Sequence, residues 1–107
     1  MLTKRELIER GFTEYKPAVF ENADRCYQKC YYDGNIRKYF LDAKHYSLTH
    51  PATGEDFSNY ELSTQLYTKG NHNALNITFL NDNIDEAEAL IECLFEGGKV
   101  EPYDFRD

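Results

Sequence analysis

The feature that most constrains this 107-residue chain is a two-residue alternation between residues 60 and 80. Leu75, Ile77 and Phe79 alternate with Asn76 and Thr78, and upstream Leu62, Thr64 and Leu66 keep the same period. A period of two sends successive side chains to opposite faces of a strand, so each segment belongs to a sheet with one face covered. The turn-forming run Lys69-Gly70-Asn71-His72-Asn73 lies between them. It predicts a hairpin joining strands over 60–68 and 74–80.

A second hairpin precedes this one. Asp33-Gly34-Asn35 is a tight-turn signal, since these residues accept positive φ, and it separates predicted strands over 25–32 and 36–44. In the first of these, Cys26, Gln28, Cys30 and Tyr32 share one face, while Tyr27, Lys29 and Tyr31 share the other. Residues 48–56 (Leu48 to Asp56, with Pro51 and Gly54) read as a loop. Residues 13–22 read as extended chain, with Pro17 barring a helix interior and Val19 and Phe20 entering the core.

Helices flank the strands. Thr3 and Glu6 form a capping-box pattern, Leu2 and Leu7 occupy its staple positions, and Gly11 supplies a stop. The pattern predicts a short helix over 3–10, anchored by Leu7, Ile8 and Phe12. Asn83 and Glu86 begin the second helix, and Asp85 and Glu86 complement its positive end. Ala87, Leu90, Ile91, Leu94 and Phe95 recur at helical spacing and are expected to face the sheet, and Gly97-Gly98 ends the run. Val100, Tyr103 and Phe105 offer docking points for the tail. The expected fold is one α+β domain over 1–107. It is a four-stranded antiparallel meander with a short N-terminal helix and a longer C-terminal helix packed on it.

Composition narrows the function classes. Hydrophobic residues make up 41% and include nine Tyr and seven Phe, enough apolar mass for a packed core. No run reaches the length of a membrane span, and the first residues lack the apolar core of a secretory signal. Cys26, Cys30 and Cys93 are odd in number, so they cannot all pair within the chain, and a cytoplasmic home is expected. No Cys-x-x-Cys or His-Glu-x-x-His motif groups these cysteines with His45, His50 or His72, so neither a metal nor another cofactor is expected. A Cys26/Cys30/His45 zinc site would need an unusual convergence of strands, and a Cys30–His45 nucleophile-and-base pair is of a kind that arises by chance in any chain of this length. The chain reads as no enzyme.

Charge is unevenly placed within the total of −7. Residues 1–46 hold nine basic and seven acidic side chains, a balance of +2. Residues 47–107 hold three and twelve, a balance of −9. On the second helix Asp85, Glu88, Glu92 and Glu96 fall at steps of three, four and four, which makes one acidic stripe. Such a stripe serves solubility, or it meets a protein partner with a basic surface and speeds the encounter. In the first hairpin Arg25, Lys29, Arg37, Lys38 and Lys44 interleave with Tyr27, Tyr31, Tyr32 and Tyr39. Cations between aromatic platforms can hold phosphates and stack bases. Arg25, Tyr31, Arg37 and Tyr39 are therefore the candidate residues of a small-ligand or nucleotide-sequestering homo-oligomer. The overall acid excess argues against direct nucleic-acid binding.

The opening Leu7-Ile8-Glu9-Arg10-Gly11-Phe12, the Tyr-rich strands and the closing Asn83-Ile84-Asp85-Glu86-Ala87-Glu88 helix together resemble small uncharacterised proteins of bacteriophages and integrated mobile elements. The resemblance covers most of the chain in element order and transfers no site residue. It implies action in the host cytoplasm, as with anti-CRISPR and other anti-defence inhibitors that bind a partner or sequester a nucleotide signal. The leading expectation is a non-catalytic inhibitor that binds a basic surface of a host nucleic-acid enzyme through Asp85, Glu88, Glu92 and Glu96. The alternative is the sequestering oligomer.

Overall fold

The structure, a computed structural model, describes residues 2–17, 22–70 and 73–102. The expected core roles of Val19, Phe20, Tyr103 and Phe105 fall outside these residues. The chain runs α1 (Lys4–Glu9), β1 (Thr13–Tyr15), β2 (Arg25–Asp33), β3 (Ile36–Thr49), β4 (Asp56–Thr68), β5 (Ala74–Thr78), α2 (Ile84–Glu96) and β6 (Val100–Glu101). It is α+β with an antiparallel sheet and two helices, but the sheet has six strands and not four. The two extra strands are the short ones. β1 has three residues on β2, and β6 has two on β4. Strands this short carry no pattern of their own and exist because a neighbour pairs with them.

The long hairpin also exceeds its expected bounds. β3 and β4 have fourteen and thirteen residues and pair as far as Thr49↔Asp56, so the loop contracts to residues 50–55. Backbone pairing does not require the side-chain alternation by which the sequence reveals a strand. The β2–β3 hairpin closes at Asp33↔Ile36 around Gly34-Asn35, with Gly34 at φ +61°.

The caps form as their chemistry dictates. Thr3 accepts a hydrogen bond from the Glu6 amide and Asn83 accepts one from Glu86, each satisfying an orphan N–H of a first turn. Six residues cannot sustain a helix alone, so α1 depends on Leu7, which is fully buried with Leu2 and Phe12. Ile8, expected in the core, is half exposed. So is Leu90 on α2, at 47%. Ile84, Ala87 and Ile91 make one line along α2 at steps of three and four and take the buried side, which leaves Leu90 on its flank.

The core lies on one sheet face. Tyr27, Tyr39, Leu41, Ala43, Leu62 and Leu66 point there and meet Leu7, Ile84, Ala87, Ile91 and Val100. This is the face that carries Tyr27, Lys29 and Tyr31 in β2. On the opposite face Cys26 is nevertheless fully buried, because Tyr15 of β1 stands opposite it.

The sheet opens part-way along its centre. β3 and β4 pair from Thr49↔Asp56 to Asp42↔Ser63. Tyr67 of β4 then pairs with Ala74 of β5 on one edge and Glu101 of β6 on the other. β6 thus occupies the edge that β3 has left. Across the opening, the Thr64 hydroxyl donates to the Phe40 carbonyl at 2.6 Å.

Urea denaturation distinguishes the two faces of α2. Ile91→Ala should cost roughly 2–4 kcal/mol, as expected for a truncated buried aliphatic. Leu90→Ala should cost less than about 1 kcal/mol. Equal losses would contradict this orientation of the helix.

Candidate functional site

The acidic stripe of α2 does not face open solvent alone; three of its four carboxylates meet the basic and phenolic groups of the other half of the chain. Arg10, at the end of α1, donates to both oxygens of Asp85, at 2.6 and 3.3 Å. The Tyr31 hydroxyl donates to Glu88 at 2.6 Å. Lys38 donates to Glu92 at 2.7 Å. Glu96 is exposed and has no partner among the described residues. Asp85 keeps 71% of its side-chain surface open and Glu92 keeps 43%. The stripe is thus both a docking seam and a partly open anionic surface.

Lys38 reaches the seam through a defect in the hairpin. Tyr31 pairs with Tyr39, but Tyr32 pairs with Arg37, so Lys38 is an extra residue in β3. Regular alternation would place Lys38 with Phe40 and Asp42 on the open face. A bulge of this kind redirects a side chain, and here the ammonium lies 4.7 Å from the centre of the Phe95 ring, on α2. Tyr31 stacks on Tyr39 at 4.3 Å, and Tyr39 on Phe95 at 5.9 Å. Lys29 caps the other end, 4.9 Å from the Tyr31 ring. The order Lys29, Tyr31, Tyr39, Phe95, Lys38 is one continuous stack joining hairpin to helix.

That stack decides the alternative site. Tyr39 is buried and Tyr31 half-buried, each with its ring against another aromatic, so neither offers a free face to a base. Arg25 and Tyr32 stand seven residues apart on β2, roughly 23 Å, and Arg37 pairs with Tyr32. The four hairpin residues therefore do not converge on one surface. Cys30 and His45 do not meet either, since Cys30 pairs with Phe40, five residues or roughly 16 Å from His45. His45 instead lies 2.7 Å from Asp24, which also accepts from the Ser47 hydroxyl. Among the described residues, no group of three or more His, Cys, Asp or Glu could hold a metal.

Titration behaviour follows the contacts. The hydrogen bond and charge of Arg10 hold the Asp85 carboxyl below its ordinary value, and the hydrogen bond to His45 lowers that of Asp24. Burial raises the phenols of Tyr31 and Tyr39 well above the usual range, helped by Glu88 at Tyr31 and by Glu92 and Glu88 at Tyr39.

Neither Arg10 nor Lys38 was marked as a seam partner by the sequence. Nothing in the order of residues relates position 10 to position 85, and a bulge leaves no compositional trace. Comparison with protein-family models, curated proteins and solved structures returns no match to the chain. Among the described residues no helix is long and apolar enough to cross a membrane.

The lowered carboxyls set a pH dependence. Each has a lower pKa in the folded chain than its unfolded value near 3.8, so its stabilisation is complete above that value. It is lost as pH falls through the folded value. The urea midpoint should therefore decline on acidification from roughly pH 5. Arg10→Gln should make that decline shallower, and an unchanged acid limb would remove the Arg10–Asp85 pair as a contributor.

Proposed function

We propose that this chain is a non-catalytic interaction protein that captures a basic surface of a partner through the open side of the α2 stripe. The reading extends to a phage-type inhibitor of a host nucleic-acid enzyme, as implied by the small uncharacterised phage and mobile-element proteins that the sequence resembles. Asp85, Glu88, Glu92 and Glu96 carry it, with Arg10 and Lys38 fixing the orientation of the row from behind.

The observation in its favour is Glu96. A carboxylate in the last turn of a helix opposes the negative end of the helix dipole, where a cation would add about 0.3–1 kcal/mol. α2 has no basic residue in that turn, and Glu96 is exposed without a partner among the described residues. It therefore lowers local stability without a folding contact in return, as expected of a residue kept for an encounter. Two cations, Arg10 and Lys38, stand against four carboxylates along the stripe, so the surface remains negative toward an approaching partner.

Glu96→Lys separates binding from stability, which Glu88 or Glu92 substitutions cannot do because those residues also hold the hairpin. The variant should keep or raise the thermal midpoint. Used as bait in a host lysate at about 0.05 M salt, the parent chain should retain a basic nucleic-acid-binding protein that about 0.5 M salt releases. Glu96→Lys should retain much less. Equal recovery by the two baits would overturn the assignment to this helix face.

A further inference from the structure

A second surface follows from how β4 is paired, on an element separate from the α2 stripe. On its outer side β4 is covered by β5 only from Ser63 onward, with the Phe79 amide donating to the Leu62 carbonyl as the last bond of that edge. From there the chain at 79–82 diverges toward α2, and residues 56–61 have no backbone partner on that side among the described residues. The Leu62 carbonyl points outward, and strand geometry makes the backbone groups of Tyr60, Ser58 and Asp56 point outward as well. Exposed edges are ordinarily blunted by lysine, proline or a bulge. Residues 56–62 contain no lysine or proline, and the β3–β4 register runs unbroken through them.

Beside this edge lies a groove of about 500 Å³ between β4 and the diverging 79–82 segment. Its lining includes Tyr60, Phe79 and the fully exposed Leu80 together with Glu61 and Asp82, and it contains no Lys or Arg. Asp82 accepts a hydrogen bond from the Leu2 amide on one oxygen, at 2.7 Å. Lys44 stands beside Glu61 across the β3–β4 ladder, on the same sheet face, and offsets part of its field. The edge thus offers unpaired backbone groups, apolar lining and two carboxylates at once.

We infer that this edge and groove take an extended peptide segment containing lysine or arginine, which adds as a strand beside residues 56–61. Main-chain hydrogen bonds supply the pairing, and alternate side chains enter the groove. The carboxylates select a cationic segment over an anionic one.

A ¹⁵N-labelled full chain titrated with a seven-residue alternating Lys/Val peptide tests the site. Amide shifts should concentrate at 56–61 and 79–82 and weaken with added salt, and an alternating Glu/Val peptide should produce none. Glu61→Lys should weaken affinity about tenfold. Ser58→Pro removes one outward N–H without touching the β3 ladder and should abolish binding. Glu96→Lys should leave the titration unchanged, so a failure of this site and a failure of the α2 surface are told apart. Shifts mapping elsewhere, an equal response to the Glu/Val peptide, or an unaltered affinity in Glu61→Lys would overturn the inference.

Discussion

One extra residue in β3 determines how the covered face is built. With Tyr32 paired to Arg37, Lys38 turns from the open face to the side of α2 and completes the stack that starts at Lys29. Each aromatic pair contributes about 0.5–1.5 kcal/mol and each exposed cation–ring contact about 0.5–1 kcal/mol. Against a net stability of about 5–15 kcal/mol, a stack of this length matters. It also sets where α2 lies, because Glu88 and Glu92 must reach Tyr31 and Lys38 while Ile84, Ala87 and Ile91 fill the core. The ionic seam and the apolar seam are two sides of one helix, and a change in one displaces the other.

The charge imbalance takes on a different meaning in three dimensions. The mildly basic N-terminal residues and the strongly acidic C-terminal ones are not separate poles. Arg10 and Lys38 come from the first group, Asp85 and Glu92 from the second, and they meet along α2. Among the described residues, Glu96 at the end of that helix and Glu61 and Asp82 beside the outer edge of β4 form no ion pair. Both places are acidic, and they rest on independent elements, so the chain can be modified at one without disturbing the other.

How far the sequence could be read varied with the kind of cause. Caps are local, so Thr3 and Asn83 could be identified from their own neighbours. The hairpin at Gly34 and the alternation around Leu62 and Ile77 were legible for the same reason, and so was the antiparallel α+β class. The opening between β3 and β4 was not, because it depends on two residues, Val100 and Glu101, inserting beside a strand more than thirty positions away in sequence. The burial of Tyr31 and Tyr39 was equally hidden. Tyrosines beside cations describe a ligand platform and a sealed stack in the same letters, and only the placement of Phe95 decides between them.

The position of β6 governs the order in which this chain completes itself. The β2–β3 and β3–β4 hairpins are local and can zip as soon as their turns form, on the microsecond scale of hairpins. The opening beyond Asp42↔Ser63 cannot close at that stage, since its filling strand and the helix leading into it come from the last part of the described chain. The Lys69 amide, at the far end of β4, donates to the Lys99 carbonyl and fastens that late segment. Without α2 and β6 the sheet has a gap in its middle and an unshielded Tyr31–Tyr39 pair. A single event, the docking of α2 with β6, seals both.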